Sequence, residues 1–102
     1  MVFMILIGAS LFSLVFRGYG GDDVFKNTTS LTSYADGGAG ADYLVGGTNR
    51  DELKGGTEDD RLAGRQGNDI LEGGDDDDTL WGDWGDDDLI GGEGDDTLYG
   101  YT

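Results

Sequence analysis

An aspartate recurs every nine residues through more than half of this chain, at Asp42, Asp51, Asp60, Asp69, Asp78, Asp87 and Asp96. The sequence contains no His and no Cys, so it lacks the commonest general base, the thiol nucleophile and most transition-metal ligand sets. Carboxylate oxygens at a regular spacing suit hard cations that take oxygen ligands. The pattern therefore favours cation binding over nucleophilic or redox chemistry.

The aspartate is the sixth residue of a nine-residue unit that is written seven times without insertion or deletion over residues 37–99. The eighth residue is always leucine, at Leu44, Leu53, Leu62, Leu71, Leu80, Leu89 and Leu98. Glycine fills most first, second and fourth places, at Gly37, Gly38, Gly40, Gly46, Gly47, Gly55, Gly56, Gly64, Gly67, Gly73, Gly74, Gly82, Gly85, Gly91, Gly92 and Gly94. An ordered segment this rich in glycine needs positive φ angles or close backbone contacts. Each unit therefore predicts a six-residue turn and a three-residue strand.

The strand of each unit must bury its leucine, because neighbouring side chains of a strand face opposite sides and only the eighth place points inward. Such a short strand is not stable alone. If each turn reverses the chain, two units form one 18-residue coil, and stacked coils give two parallel sheets around a leucine interior. The sequence thus predicts an all-β solenoid with one column of turns from the odd units and another from the even units.

The charge of the chain also points to cations. The 22 acidic and 6 basic residues give a formal net charge of −16, which argues against nucleic acid and anionic lipid surfaces as partners. Carboxylates stacked about 4.8 Å apart would repel by roughly 3 kcal/mol per neighbouring pair at an effective dielectric constant near 20. Bound ions would offset this repulsion, so ion binding and folding are expected to be one process. Calcium fits best, because it mixes carboxylate with carbonyl ligands and tolerates flexible geometry, whereas magnesium demands a tighter octahedron.

The units resemble the nonapeptide of RTX (repeats-in-toxin, haemolysin-type) calcium-binding proteins, fully over residues 37–99 and partly over residues 18–26. In the partial copy, Asp23 and Phe25 take the sixth and eighth places. The resemblance implies a right-handed parallel β-roll that holds calcium between successive coils through turn carbonyls and the sixth-place aspartates. It implies about five sites, between Asp42 and Asp60, Asp60 and Asp78, Asp78 and Asp96, Asp51 and Asp69, and Asp69 and Asp87, with a weaker sixth between Asp23 and Asp42.

Some turns depart from the glycine pattern. Asn49, Glu58 and Asp76 occupy fourth places, and Arg65 and Asp83 occupy second places. Because non-glycine residues resist positive φ angles, the turns that contain Arg65 and Glu58 are expected to make the poorest sites. The fifth-place acids are expected to form a charged, solvated surface, at Asp22, Asp59, Asp77, Asp86 and Asp95.

The chain is expected to have three parts. Residues 1–17 form an apolar segment that fits a buried cap or the end of an upstream domain, an export signal, or a membrane anchor, and only the anchor would bring membrane contact. As a helix, the sixteen uncharged residues would span roughly 24 Å, short of the roughly 30 Å hydrocarbon core. Residues 18–36 form a degenerate first coil, whose last ten residues lack a motif aspartate and a clean apolar place. Residues 37–102 form the calcium-binding β-roll.

The ninth places give the odd-unit sheet a more apolar outer face than the even-unit sheet. This face consists of Val45, Ala63, Trp81 and Tyr99, whereas the even-unit sheet shows Lys54, Glu72 and Ile90. Two interpretations remain open. The face either stiffens the sheet by cross-strand packing, or docks a neighbouring domain or partner at Trp81 and Tyr99.

Together these features predict a secreted, extracellular calcium-binding domain that folds on meeting calcium outside the cell. Its affinity is expected in the range of extracellular modules, roughly 0.1 to 1 mM. The resemblance implies an accessory part of a secreted toxin, hydrolase or adhesin. The alternative is a passive structural or adhesive solenoid with purely structural calcium. No enzymatic activity is expected, because glycoside hydrolysis needs a cleft and one acid with a raised pKa, whereas these acids repeat evenly.

Overall fold

The computed structural model describes residues 4–6 and 13–101, with side chains over residues 13–101. The regular structure of these residues is all β-strand. The strands are β1 (Met4–Leu6), β2 (Ser13–Arg17), β3 (Val24–Lys26), β4 (Thr32–Ala39), β5 (Tyr43–Val45), β6 (Asp51–Thr57), β7 (Arg61–Ala63), β8 (Ile70–Gly74), β9 (Thr79–Asp83), β10 (Asp88–Gly92) and β11 (Thr97–Gly100).

The strands form two sheets. One has the order β1-β2-β4-β6-β8-β10 and the other the order β11-β9-β7-β5-β3. Every pair is parallel except β1 with β2, which is antiparallel. From β2 onward the chain alternates between the sheets, so each turn carries it from one sheet to the other. This arrangement confirms the predicted β-solenoid.

The strand register follows the repeat. Leu53 pairs with Leu71 and Leu62 with Leu80, an offset of 18 residues. Near the N-terminus the offset is 19, as in the pair Val24 and Tyr43, because residues 27–36 contain one extra residue. In that coil Ala35 pairs with Leu53 and is fully buried. The expectation that this coil lacks an apolar place was therefore wrong, since the small Ala35 side chain fills it.

The interior between the two sheets is a single row of apolar side chains. Its buried members are Leu14, Phe16, Phe25, Ala35, Leu44, Leu53, Leu62, Leu71 and Leu80. Phe16 and Phe25 stack with ring centroids 5.1 Å apart at the N-terminal end. At the other end Leu89 is only partly buried and Leu98 is 45% exposed, because β10 and β11 are the last strands of their sheets.

The strands of the two sheets differ in length. Three-residue strands are found as predicted in β5 and β7, but β6 extends over seven residues into the next turn. The extension arises because Gly56 pairs with both Gly38 and Gly74 in the neighbouring coils. The first part of each odd-unit turn is thus held by sheet pairing, which fixes the backbone that faces the aspartates.

The N-terminal apolar segment is described only in part, since residues 1–3 and 7–12 lie outside the described residues. Strand β2 pairs with β4 and contributes Leu14 and Phe16 to the interior. This packing supports a cap, while the export signal and the anchor stay predictions. Over the described stretches, we find no helix with the length and apolar character needed to cross a membrane.

The outer face of the odd-unit sheet shows cross-strand packing. Trp81 and Tyr99 are direct neighbours in register, and their rings stack with centroids 5.9 Å apart and planes at 8°. Val45 is buried, at 2% exposure, although it is not a member of the interior cluster. Docking of a partner on the Trp81 and Tyr99 face stays a prediction.

Candidate metal centre

The sixth-place aspartates stack in two columns, one on each edge of the solenoid. Asp23, Asp42, Asp60, Asp78 and Asp96 belong to the odd-unit turns, and Asp51, Asp69 and Asp87 belong to the even-unit turns. Asp42 is 2% exposed, and Asp51, Asp60, Asp69 and Asp78 are each 1% exposed. Burial of so many carboxylates is costly unless each is hydrogen-bonded or bound to a cation.

The turns surround these side chains because residues at their second and fourth places have positive φ angles. In the turn 55–60, Gly56 has φ 115° and Glu58 has φ 74°. Arg65, at φ 72°, also adopts this conformation, so neither residue prevents the positive φ angle of its turn. That these two turns make the poorest ion sites stays a prediction. Hydrogen bonds to the neighbouring coils hold these turns, as shown by the Trp84 N–H, which donates to the Arg65 carbonyl at 2.9 Å.

The turn 46–51 departs from this conformation instead. Positive φ angles are found at neither Gly47 nor Asn49, in contrast to the second and fourth places of the other turns of residues 37–96. Asn49 tolerates a positive φ angle better than most residues, and Gly47 tolerates it better than any. The residue types therefore predict a regular turn here, and the departure could not be predicted from the sequence. The departure lies where the regular repeats meet the degenerate coil.

One oxygen of each aspartate is committed to the backbone of the preceding coil. The Oδ1 atom accepts a hydrogen bond from the N–H of the residue 18 positions earlier, at 2.7 to 2.9 Å, in the pairs Asp42 to Asp60, Asp51 to Asp69, Asp60 to Asp78, Asp69 to Asp87 and Asp78 to Asp96. Sequence reasoning missed this ladder. The signal for it was the invariance of Asp, because the longer Glu side chain would not hold the same oxygen at that backbone.

The second oxygen lacks such a donor. The Oδ2 atoms of Asp42, Asp60, Asp69, Asp78 and Asp87 are buried and accept no hydrogen bond from any described residue. A buried carboxylate oxygen without a partner is costly, and native structures rarely keep one without a bound ion or water. These oxygens are therefore the atoms to which a cation would bind.

The first-place glycines make room for these oxygens. A Cβ atom at Gly73 would lie 2.5 Å from Asp78 Oδ2 and 2.7 Å from the Gly91 carbonyl oxygen of the next coil. Every first-place glycine of the repeats lies against the Oδ2 of its own unit in this way, at Gly37, Gly46, Gly55, Gly64, Gly73, Gly82 and Gly91. At Gly37, Gly46, Gly55 and Gly73 a carbonyl oxygen of the next coil lies on the same side as the carboxylate oxygen, which matches the mixed ligand set that calcium prefers.

The other turn glycines form separate columns of backbone contacts. Second-place glycines such as Gly56, Gly74 and Gly92, like Gly38, lie against the second-place carbonyl of the preceding coil. The fourth-place glycines lie against the fourth-place carbonyl, at Gly40, Gly67, Gly85 and Gly94. Over residues 13–101, no cluster of three or more acidic side chains could hold a metal by itself. Any ion bound here must therefore take a large share of its ligands from backbone carbonyls.

The pKa values of the column aspartates reflect their burial. Desolvation raises the pKa of Asp60 and of Asp69 from 3.8 to about 7, and that of Asp78 to about 6. It also raises the pKa values of Asp42 and Asp87. Neighbouring carboxylates add to the rise, whereas the backbone hydrogen bond at each Oδ1 opposes it. Without a cation, these groups are therefore protonated more readily than ordinary aspartates.

The fifth-place acids are exposed, as predicted, at Asp22, Asp59, Asp77, Asp86 and Asp95. They also form hydrogen bonds between coils, since Asp59 Oδ1 accepts from the Asp77 N–H at 2.9 Å and Asp77 Oδ1 from the Asp95 N–H at 2.8 Å. This outer ladder runs in the opposite sense to the inner one. Its carboxylates therefore connect the turns at the surface. They are exposed and accept hydrogen bonds, whereas the Oδ2 atoms of the column aspartates are buried and accept none from the described residues.

One groove of about 690 Å³ among the described residues lies away from the aspartate columns. It follows the even-unit turns between Arg65, Asp83 and Trp84, and no sixth-place aspartate lines it. A smaller groove of about 470 Å³ follows the odd-unit turns and includes Asp42 and Asp60 among its lining residues. The candidate ion sites therefore lie outside the larger of these two grooves, and those of the odd-unit column at Asp42 and Asp60 border the smaller one.

Comparison with known protein families gives one match. The family of the RTX calcium-binding nonapeptide repeat (4 copies) matches residues 36–71, 54–89 and 64–98. No individual characterised protein and no solved structure matches the chain significantly. The matched ranges together cover more than half of the chain and coincide with the stacked turns.

Proposed function

Because the chain belongs to the family of RTX calcium-binding nonapeptide repeats, we propose that its buried turn aspartates bind calcium and that this binding completes the fold. Calcium binding itself follows from the family. The observation that carries the assignment to particular atoms is the set of buried Oδ2 oxygens that accept no hydrogen bond from residues 13–101. Each of them lies beside a first-place glycine of its own turn.

We place ions between successive turns of one column, at the buried Oδ2 of an aspartate. In the odd-unit column a turn carbonyl of the next coil lies close to this oxygen. In the odd-unit column the pairs are Asp42 with Asp60, Asp60 with Asp78, and Asp78 with Asp96. In the even-unit column the pair is Asp69 with Asp87. Asp23 and Asp42 form the weaker additional pair, and Asp51 differs from all of these in its hydrogen bonds.

Coupling between calcium and folding is supported by the energetics of the columns. When the stacked carboxylates are ionised, they repel one another and are poorly solvated. When they are protonated at neutral pH, the folded state must take up protons that a carboxyl group with an ordinary pKa near 4 would release, which also costs free energy. A divalent ion between two turns would neutralise the carboxylates and add a link between coils to the strand pairing, the narrow apolar row and the hydrogen bonds at Oδ1. Ion binding to the folded state alone stabilises that state by mass action.

We further propose an extracellular location and an accessory role beside a toxin, hydrolase or adhesin activity. Members of this family are typically secreted. Extracellular calcium is near the affinity range of extracellular calcium modules, roughly 0.1 to 1 mM. A chain whose turns fill only at such concentrations would remain loosely structured until export.

A passive structural solenoid is the second candidate, and the Trp81 and Tyr99 stack and the outer carboxylate ladder favour it, since both stiffen the coils without an ion. Acid–base hydrolysis has less support. The raised pKa values recur along both columns, whereas a hydrolytic pair needs two carboxylates with different environments in one cleft.

Isothermal titration calorimetry of the full chain with calcium, and with magnesium as the control, tests this proposal. We expect several calcium ions to bind with dissociation constants of about 0.1 to 1 mM, and magnesium to bind at least tenfold more weakly. Equal binding of the two ions, or no calcium binding at millimolar concentration, would contradict it.

A further inference from the structure

Asp51 is the one buried column aspartate of the repeats whose second oxygen has a protein donor among the described residues. Its Oδ2 accepts a hydrogen bond from the Gly47 N–H at 2.7 Å. Its Oδ1 accepts from the Ser33 N–H at 2.8 Å, from the Ser33 hydroxyl at 2.5 Å and from the Asn27 side-chain amide at 3.3 Å. Four donors thus surround a carboxylate whose counterparts Asp60 and Asp78 each leave Oδ2 without a donor.

The backbone of this turn explains the extra donor. Gly47 and Asn49 lack the positive φ angles found at the second and fourth places of the neighbouring turns. In this altered conformation the Gly47 N–H points at Asp51 Oδ2. This N–H satisfies the oxygen that a cation would otherwise bind, and its partial positive charge repels a cation that approaches it.

Asn27 holds the facing loop in place. It is 1% exposed, and its side-chain oxygen accepts hydrogen bonds from the Thr29 N–H at 2.9 Å and the Thr29 hydroxyl at 2.6 Å. Its side-chain nitrogen donates to the Leu31 carbonyl at 2.7 Å as well as to Asp51. The amide therefore connects the loop before β4 to the turn before β6, as an ion would connect two repeat turns.

We propose that Asn27, together with Ser33 and the Gly47 N–H, takes the place of calcium at Asp51. The pair Asp51 and Asp69 then holds no ion, and the first turn of the even-unit column is a calcium-independent cap on the array. This inference rests on the proposed function for the ion sites at the other turns. The even-unit column then has one ion site, between Asp69 and Asp87. The N-terminal coils are ordered before calcium binds at the other turns.

Hydrogen exchange of the full chain in EDTA, read by mass spectrometry, tests the cap without any substitution. Backbone amides of residues 27–33 and 46–51 should exchange at least tenfold more slowly than those of the matched turns 64–69 and 82–87. Added calcium should slow amide exchange in turns 64–69 and 82–87, and should change the exchange rates of residues 27–33 and 46–51 little. Equal exchange of the two regions in EDTA would overturn the proposal.

Calcium stoichiometry by equilibrium dialysis separates this inference from the proposed function. Asp51→Asn should bind as many ions as the unmodified chain, whereas the matched variant Asp69→Asn should lose one. Loss of an ion from Asp51→Asn would overturn the cap. If the unmodified chain bound no calcium, the proposed function would fail, while the exchange comparison in EDTA would still decide whether the cap exists.

A third variant replaces the Asn27 amide, which stands in for an ion, with a carboxylate that can bind one. Asn27→Asp places a carboxylate against Asp51, so slow exchange in residues 27–33 should be lost in EDTA and restored by calcium, with one more ion bound. Unchanged slow exchange of this variant in EDTA would overturn the role of the Asn27 amide.

Discussion

The backbone N–H of Asp60 donates to Oδ1 of Asp78 in the next coil at 2.7 Å, while Oδ2 of Asp78 is buried without a donor among the described residues. The two oxygens of one carboxylate thus have different tasks. Oδ1 ties neighbouring coils together through the protein, and Oδ2 lies between its own turn and the carbonyls of the following coil. The same side chain therefore contributes to the fold and, in our account, to the ion site.

Substitution of a buried column aspartate should weaken calcium binding far more than substitution of its exposed neighbour. In Asp60→Asn the Asp42 N–H keeps its acceptor, but the anionic Oδ2 is lost. We expect the apparent calcium dissociation constant to rise at least tenfold, because ligand charge sets the affinity of such sites. Titration calorimetry measures this change.

Asp59→Asn is the matched control. Asp59 is exposed, and an Asn side-chain oxygen can accept the same hydrogen bond from the Asp77 N–H. Its calcium affinity should change less than twofold. Equal weakening by both substitutions would show that overall charge, rather than the buried oxygen, governs binding.

Addition of a methyl group at a first-place glycine should disrupt the site. In Gly55→Ala, the new Cβ would meet Asp60 Oδ2 and lie 2.6 Å from the Gly73 carbonyl oxygen. Overpacking of this kind costs about 1 to 3 kcal/mol, so the urea midpoint in calcium should fall. Gly20→Ala is the control, since its Cβ would meet no atom within 4 Å and its midpoint should be nearly unchanged. Equal midpoints for the two variants would refute the close packing.

Mild acid should stabilise the ion-free fold. Because the folded-state pKa values of Asp60 and Asp69 are raised from 3.8 to about 7, the folded chain holds protons that the unfolded chain releases. Stability in EDTA should therefore fall as the pH rises from about 4 to 7. Far-UV circular dichroism in EDTA at pH 5 and pH 8 measures this dependence as a larger β-sheet signal at pH 5, and Asp60→Asn should reduce the difference. A β-sheet signal in EDTA that rises with pH would contradict the burial of these groups.

Calcium binding should show the opposite dependence on pH. Protons and calcium compete for the same carboxylates, so calcium affinity should fall as the pH is lowered from 8 to 5. Titrations at both values check this expectation. An affinity that did not change with pH would place the bound ions elsewhere, on groups with ordinary pKa values.

The aromatic stack on the outer face gives a test of its two interpretations. Ser substitution at both Trp81 and Tyr99 removes a pair that contributes about 0.5 to 1.5 kcal/mol beyond its buried area. If the pair only stiffens the sheet, the free energy of unfolding in calcium should fall by at least this amount, while self-association and partner binding stay unchanged. Sedimentation measurements that showed loss of an assembly would instead support docking on this face.

The repeat made the architecture and the stacking of the aspartates in two columns predictable from the sequence. Leu71 pairs with Leu53 and Leu89 at the predicted offset, because one strictly periodic apolar place in a short strand leaves a single way to form an interior. The burial of Asp60 could be anticipated in the same way. The hydrogen-bond partner of Asp60 could not be anticipated from the sequence. Which backbone N–H reaches its Oδ1 depends on the displacement of one coil relative to the next along the strand direction.

Two further features were beyond sequence reasoning for identifiable reasons. The left-handed conformation of Arg65 is imposed by neighbouring coils, which override the local preference of the residue. The role of Asn27 lies in an aperiodic segment, where no repeat aligns it with a function and only its contacts with Asp51 and Leu31 reveal it.

The central claim is that calcium at the buried carboxylates completes the fold. Far-UV circular dichroism and fluorescence of Trp81 and Trp84 during calcium titration of the full chain, with magnesium as the control, test it most directly. We predict a cooperative rise of the β-sheet signal near millimolar calcium that magnesium does not reproduce, starting from a partial signal from the N-terminal coils. A full β-sheet signal already present in EDTA at pH 8 would contradict the claim and leave a solenoid that folds without its ions.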